Sequence, residues 1–201
     1  MKTIFFDFGN VTASFDHRRA TRRFIRRSAL TEAEILAAIY DGALEDDFEA
    51  GRTTVDEFLR TAMVGIDYRG TADDFAREFA DIFTANEEII AMLPRLVEQG
   101  FRLVLASNTN PLHFEFFRTK FAKPLKYFHA LGVSFEAGAR KPQPEFFAHC
   151  QRLAGCKPSE ALFIDDIQKN VEGALAFGWD AVQYIDYPQL AGELRNRGID
   201  V

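Results

Sequence analysis

A doubly wound α/β fold, a five-stranded parallel sheet with a helical bundle inserted into it, is what this sequence predicts. Three observations lead there. Short apolar segments bounded by turn signals read as buried parallel strands. Amphipathic helical patterns separate the later strands. A long stretch after the first strand offers helical patterns and no convincing strand.

The first strand is Thr3 to Phe6, and it stops on Asp7, with Phe8-Gly9-Asn10-Val11 following. An apolar strand that ends on a carboxylate and turns on a glycine delivers that carboxylate to the open edge of a sheet. In parallel α/β sheets ligands bind at that edge. The competing role for Asp7 is to cap the next helix.

The insert covers residues 15–86, which leaves 1–14 and 87–201 as the core. Ser28, Thr31, Gly42, Gly51, Thr53-Thr54 and Gly70 punctuate it. Thr31 to Glu34 and Thr54 to Glu57 have the spacing of capping boxes. Arg18, Arg19, Arg22, Arg23, Arg26 and Arg27 share a broad helical face. Such a face is ordinarily solvated; alternatively, its earliest members face an anionic substrate when the lid closes. Phe15, Phe24, Tyr40, Phe48 and Phe58 fall at helical spacings that suit the core of the bundle better than a pocket lining.

The core resumes with Ile89, Leu93, Leu96 and Val97 at helical spacing and Gly100 as a stop. Strands follow at Phe101–Ala106, His129–Ser134, Ala161–Ile164 and Ala181–Ile185. Helices are expected at Pro144–Leu153, at Val171–Phe177 closed by Gly178, and at Tyr187–Arg197. His113 either reaches the site or caps the helix beside it.

The 201 residues suit one ordinary domain or a core with a smaller insert, and 47% apolar residues supply a packed core. A net charge of −6 argues against a nucleic-acid binder. Cys150 and Cys156 lack His/Cys partners at metal-ligand spacing, so reduced thiols are expected. No apolar run is long enough to span a bilayer, and no leader pattern precedes the first strand. A cytoplasmic protein with no membrane partner is the expectation.

The chemistry gathers at the strand ends. Strand one delivers Asp7, strand two delivers Ser107-Asn108-Thr109-Asn110, and strand four delivers Asp165-Asp166. The connection after strand three carries Lys141 within Arg140-Lys141-Pro142. Clustered carboxylates repel one another and invite a divalent cation, and oxygen ligands suit Mg²⁺. A hydroxyl, backbone N–H groups and an ammonium suit a phosphoryl group. A carboxylate held against both can attack phosphorus. Taken singly, each motif has an ordinary explanation as a turn, a solvated loop or a helix cap. Their joint placement at successive strand ends does not.

The order of Asp7, Ser107, Lys141 and Asp165-Asp166 resembles the haloacid dehalogenase superfamily, whose members are mostly Mg²⁺-dependent phosphatases. The motifs span nearly the whole chain. The helical insert is similar to that superfamily's first cap type, on a Rossmann-like core. Phe6-Asp7-Phe8-Gly9-Asn10-Val11, Ser107-Asn108-Thr109-Asn110 and Arg140-Lys141-Pro142 resemble a bacterial branch that includes a glucose-1-phosphate phosphatase. The resemblance implies Asp7 as nucleophile and Mg²⁺ ligand, with the Gly9 carbonyl and the Asp166 side chain as further ligands. It implies that Ser107 and the Asn108 amide grip phosphoryl oxygens, that Lys141 neutralises phosphate and pairs with Asp7, and that Asp165 and Asn170 support the acidic loop. The implied substrate is a small phosphorylated metabolite, a sugar phosphate foremost.

Gly9 departs from that pattern. Most phosphatases of the superfamily carry an aspartate there, which protonates the leaving oxygen and then activates water. A positioned acid–base group contributes roughly 10²- to 10⁴-fold, or about 3–5 kcal/mol of barrier. A good leaving group, a metal-bound water or a lid residue can replace it; Asp16 and His17 are nearest in sequence. Gly9 counts against a mutase. It is compatible with a metal-independent haloacid dehalogenase, one alternative reading. A silent binder of phosphometabolites is another. A kinase reading of Asp7-Phe8-Gly9 fails because no nucleotide-binding lobe precedes it.

Overall fold

The computed structural model describes residues 2–201. The chain opens with β1 (Thr3–Phe6), and β2 (Ala13–Phe15) leads out of the core. The insert then runs through α1 (Arg18–Phe24), α2 (Glu32–Tyr40), α3 (Ala43–Glu49), α4 (Val55–Gly65) and α5 (Ala72–Ala80), and returns along β3 (Phe83–Ala85). The core continues as α6 (Glu87–Glu98), β4 (Arg102–Ser107), α7 (Pro111–Lys120), α8 (Ala122–Leu125), β5 (Phe128–Val133) and α9 (Ser134–Ala137). It ends with α10 (Pro144–Ala154), β6 (Ala161–Asp165), α11 (Gln168–Phe177), β7 (Asp180–Gln183) and α12 (Tyr187–Asn196).

The main sheet has five parallel strands in the order β5-β4-β1-β6-β7. β1 is central, with Phe6 level with Leu105 on one side and Ile164 on the other. The winding direction reverses at β1, so the crevice beyond its C-terminal end is the natural ligand site. Side chains alternate between two buried faces. Ile4 and Phe6 enter the larger core, while Phe5 enters the other with Phe146, Phe147 and Trp179. Phe5 stacks on Trp179 at 4.1 Å. Fully burying a side chain of this size is worth about 1.5–3 kcal/mol relative to leaving it exposed.

Two expectations need correction, and one helix lies where no bounds were expected. The stretch expected to lack strands contains β3, which pairs antiparallel with β2 to make a stem, Ala13 opposite Ala85. Asn86 closes that stem, its Nδ2 donating to Val11 O at 2.8 Å and to the Tyr184 hydroxyl at 2.9 Å. The last strand ends at Gln183 rather than Ile185, because Asp186 already caps α12 through Gln189 N and Ile185 turns out to solvent. Between Asn110 and His129 the sequence reading set no helix bounds, yet α7 starts on the Asn110 N-cap with Pro111 in its first turn.

Both expected capping boxes form, at Thr31/Glu34 and Thr54/Glu57. Phe24, Phe48 and Phe58 are fully buried in the bundle, with Phe48 stacked on Phe58 at 4.1 Å. Gly51, just past α3, has φ +68°, and a Cβ there would run into the Phe135 carbonyl of α9. That close approach sets α3 over the C-terminal edge of the sheet. No described helix is long and apolar enough to cross a membrane.

Candidate active site

Asp7 lies one residue beyond β1, its N–H donating to Ile164 O at 2.9 Å as if the strand continued. Its side chain is turned back by the Phe8 N–H, which donates to Oδ1 at 2.7 Å. Thr12 clamps the turn by donating to Asp7 O at 2.7 Å. Asn10 adopts the left-handed region at φ 54° and sends Nδ2 to Asp166 Oδ2 at 3.1 Å. Asp7 caps no helix: the next element is β2.

Lys141 connects the acids. Its ammonium is 2.8 Å from Asp7 Oδ1 and 2.6 Å from Asp165 Oδ2, and all three side chains are buried. Asp165 is held from its other oxygen, where Asn170 Nδ2 and the Ile167 N–H each donate to Oδ1 at 2.9 Å. Asn108 locks the lysine's backbone: its Oδ1 accepts from Lys141 N at 2.8 Å and its Nδ2 donates to Lys141 O at 3.2 Å. Ser107 ends β4, buried, beside Asn108. Asp7, Asp165 and Asp166 present carboxylate oxygens that all lie within 4.8 Å of one another.

The electrostatics follow from this crowding. Burial presses Lys141 towards its neutral form, but Asp165 and Asp7 outweigh that and hold the ammonium above the ordinary lysine range. Burial pushes Asp7 well above the usual carboxylate range, and Asp165 and Asp166 add to it against the pull of Lys141. Asp166 is raised mainly by burial. Three carboxylates around one ammonium leave negative charge uncompensated. An all-oxygen donor set of this kind fits a hard divalent cation such as Mg²⁺. The Gly9 carbonyl accepts no hydrogen bond among the described residues, so it too is free to ligate.

A cavity of about 200 Å³ opens over these groups. Asp7, Gly9, Ser107, Asn108, Lys141, Asp166 and Asn170 line its core side. Sequence reasoning did not single out Arg140, Glu45 and Glu49, which line it as well. Arg140 reaches across to α3, pairing with Asp46 and placing its Nε 2.9 Å from Glu49 Oε2. The signal for this lay in Arg140 itself, next to Lys141, but its partners are some ninety residues away in sequence.

The lid expectations divide. Asp16 is exposed, accepts the Arg18 N–H at 2.9 Å, and does not line the cavity. It is a local turn cap, not an acid aimed at the site. His17 does line the cavity, and its Nδ1 is buried without a partner. Burial lowers its pKa to about 4, so the ring is neutral near pH 7. Phe15, expected in the bundle core, packs against the core and lines the cavity as well. A Cβ added at Gly9 would lie 2.9 Å from the Phe15 ring, so the aromatic fills the space of the side chain Gly9 lacks. The arginine face also misses the site. Arg19 and Arg23 pair with Asp81, and Arg27 pairs with Asp74 and Glu78, which ties α1 to α5 and the segment after it.

His113 does more than sit near a cap. Asn110 caps α7 by accepting the His113 N–H at 3.0 Å. The His113 ring lines the cavity, stacked on Phe79 at 4.3 Å.

A family model for haloacid dehalogenase-like hydrolases matches residues 1–178. The chain is 27% identical over 191 residues to D-ribitol-5-phosphate phosphatase of Bacteroides thetaiotaomicron, covering 91% of each protein. In structure it is similar to a HAD-like family hydrolase from Porphyromonas gingivalis, with TM-score 0.82, 25% identity, and 97% and 98% of the two chains covered. It is also similar to a HAD family enzyme of B. thetaiotaomicron in complex with magnesium and inorganic phosphate, with TM-score 0.80, 24% identity, and 94% and 98% covered. At that identity the second structure speaks for the fold alone. With the family model matched along residues 1–178, this chain belongs to the haloacid dehalogenase-like hydrolases.

Proposed function

We propose that this protein is a Mg²⁺-dependent phosphatase that releases inorganic phosphate from a small phosphorylated sugar or polyol through an aspartyl phosphate on Asp7. The observation that carries the reading is the buried ammonium of Lys141 between Asp7 and Asp165, with Asp166 alongside, on the floor of a small cavity. Asp7, Asp166 and the Gly9 carbonyl would hold Mg²⁺. The ion supplies positive charge that offsets both the carboxylates and the phosphoryl group.

The chain's own residues carry the rest. Lys141 keeps Asp7 oriented and shares its charge with the incoming phosphate. Ser107 Oγ–H and the Asn108 N–H grip phosphoryl oxygens at the end of β4. Asp7 Oδ attacks phosphorus, and the bond to the leaving oxygen breaks. Water then attacks the aspartyl phosphate, which frees Asp7 and inorganic phosphate. Asp165 and Asn170 hold the acidic loop in register.

A sugar or polyol fits the cavity's size and its mixture of carboxyl, imidazole and guanidinium groups, and the ribitol-phosphate phosphatase relative supports it. The reading places the protein in the cytoplasm, where its free thiols Cys150 and Cys156 suit a reducing compartment. A net charge of −6 gives no reason to add nucleic acid as a partner.

The test is hydrolysis of p-nitrophenyl phosphate with Mg²⁺ and with excess chelator, for the parent protein and for Asp7→Asn. The expected result is Mg²⁺-dependent turnover that Asp7→Asn abolishes. Turnover needing neither overturns the mechanism. Halide release from small 2-haloacids without metal would replace it with the dehalogenase reading. Phosphate binding with no turnover would make the protein a silent binder.

A further inference from the structure

We propose that Glu45, on α3, exchanges the proton with the leaving oxygen and with the attacking water, in place of the carboxyl missing at position 9. This rests on the phosphatase reading above. The need is set by Gly9, and the Phe15 ring closes off the space from which a side chain there would act. The replacement must therefore come from another wall of the same cavity. Its carboxyl-bearing lining residues are Asp7, Asp166, Glu45 and Glu49. Asp7 and Asp166 belong to the nucleophile and cation end.

Glu45 and Glu49 are one helical turn apart on α3 and share one face. Arg140 separates their roles. It pairs with Glu49 and with Asp46, whereas Glu45 makes no ion pair and no hydrogen bond among the described residues. The groups facing Glu45 are Glu49 and Asp46 on its own helix, Arg140 from the loop before α10, and Tyr40 from α2. Glu45 keeps some accessible surface because it faces the cavity, and protein encloses it otherwise. Burial, then Glu49, push its carboxyl well above the usual range, against the pull of Arg140. Burial raises Glu49 as well, but Glu49 has Arg140 2.9 Å away to oppose the rise, whereas Glu45 has no ion-pair partner among the described residues and is the better placed of the two to hold a proton. The two histidines that line the cavity, His17 and His113, are neutral near pH 7 and poor acids. The buried His17 Nδ1 and the buried Tyr40 hydroxyl both lack partners among the described residues, as polar groups do where a hydroxylated ligand completes the site.

The proton balance closes over the two steps. As the bond from phosphorus to the leaving oxygen breaks, the Glu45 proton passes to that oxygen, giving a neutral alcohol and a Glu45 carboxylate. When water attacks the aspartyl phosphate, that carboxylate takes the water proton. Asp7 leaves as a carboxylate, and Glu45 is again protonated.

A proton donor matters in proportion to the basicity of the leaving oxygen. The experiment compares Glu45→Gln with the parent on p-nitrophenyl phosphate, phenyl phosphate and ribitol 5-phosphate with Mg²⁺. The expected loss of kcat/KM, which reports the step in which the leaving oxygen departs, is at least tenfold larger on phenyl phosphate than on p-nitrophenyl phosphate, and larger again on ribitol 5-phosphate if it is accepted. The ratio between two substrates is independent of how much variant is folded. Glu45→Asp should recover part of the phenyl phosphate rate, and Glu45→Gln should lose the alkaline limb of the parent's pH profile. Equal losses on both aryl esters, or no loss, overturn the proposal while leaving the phosphatase reading intact. A parent protein that hydrolyses neither ester removes both.

Discussion

Lys141 Nζ stands 2.8 Å from Asp7 Oδ1, the pair nearly buried on the floor of the cavity. The same ammonium also serves Asp165, so it stabilises a pocket that would otherwise hold only negative charge. A buried pair of this kind adds little net stability when complete but is costly to break, by about 3–5 kcal/mol when one partner is removed.

Lys141→Met should therefore reduce p-nitrophenyl phosphate turnover by about 10²-fold or more. It should also lower the melting temperature measured in chelator. Millimolar Mg²⁺ should raise the variant's melting temperature further than the parent's, because the dication supplies the charge the lysine gave. Thermal unfolding with and without Mg²⁺ measures both effects. A variant that melts like the parent in chelator would show that Lys141 is not holding the acids together.

Asn170 acts one step back from the cation. It and the Ile167 N–H fix Asp165 Oδ1, while Lys141 holds Oδ2. Asn170→Ala leaves one oxygen of a buried carboxylate short of a donor. Outer-shell losses of this kind cost about 10–100-fold in metal affinity or activity. The expected outcome is a rise in the Mg²⁺ concentration that half-activates the enzyme, with KM for p-nitrophenyl phosphate nearly constant. A large KM change at saturating Mg²⁺ would instead place Asn170 against the substrate.

His113 predicts an acid-sensitive fold. Burial, then the neighbouring His17, lower its pKa to about 3. The neutral ring is held from both sides, Nδ1 accepting from Asn110 Nδ2 at 2.9 Å and Nε2 donating to Phe79 O at 3.3 Å, a tautomer assigned from these partners. The unfolded chain takes up a proton near pH 6.5 and the folded chain does not. The stabilisation is thus complete above about pH 6.5 and is lost as pH falls towards 3, at about 1.4 kcal/mol per pH unit for one proton. His17, lowered to about 4, adds a second proton over the upper part of that window. The raised carboxyls of Asp7 and Glu45 act in the opposite sense, so the histidine contribution is read as a difference: in urea unfolding between pH 7 and 5, His113→Gln should change the parent's slope by about one proton whatever its overall stability. An unchanged slope would mean that His113 is charged in the folded protein.

The sequence made the sheet and its acidic edge legible for a physical reason. β1, β4 and β6 are covered on both faces, so they read as short apolar runs, and the residue ending each run must stand at the C-terminal edge. Asp7, Ser107 and Asp165 could be found that way. The stem was not legible. Three residues in β2 and three in β3 are too few for a period, and Ala13 meets Ala85 across the whole length of the insert. Glu45 and Glu49 carry no motif, and Gly51 against α9 together with the Arg140 pairs turns α3 inward. The arginine face goes the other way from its alternative reading as an anion site: the partners of Arg19, Arg23 and Arg27 are the carboxylates of α5 and Asp81, which share no motif with them.

The Gly9–Phe15 contact joins the missing acid to its proposed replacement. Gly9→Asp alone should not improve catalysis, because the new side chain meets the Phe15 ring at 2.9 Å. Displacing that ring also disturbs its edge contact with His17 at 5.0 Å. Phe15→Ala opens the space, so Gly9→Asp combined with Phe15→Ala should exceed Gly9→Asp by about tenfold on phenyl phosphate, a non-additivity expected of neighbours. In that double variant the acid can act from position 9, and adding Glu45→Gln should then reduce the rate far less than it does in the parent. Steady-state rates for the parent, single, double and triple variants measure the coupling. A Glu45→Gln loss as large in the double variant as in the parent would mean that positions 9 and 45 do not serve the same proton.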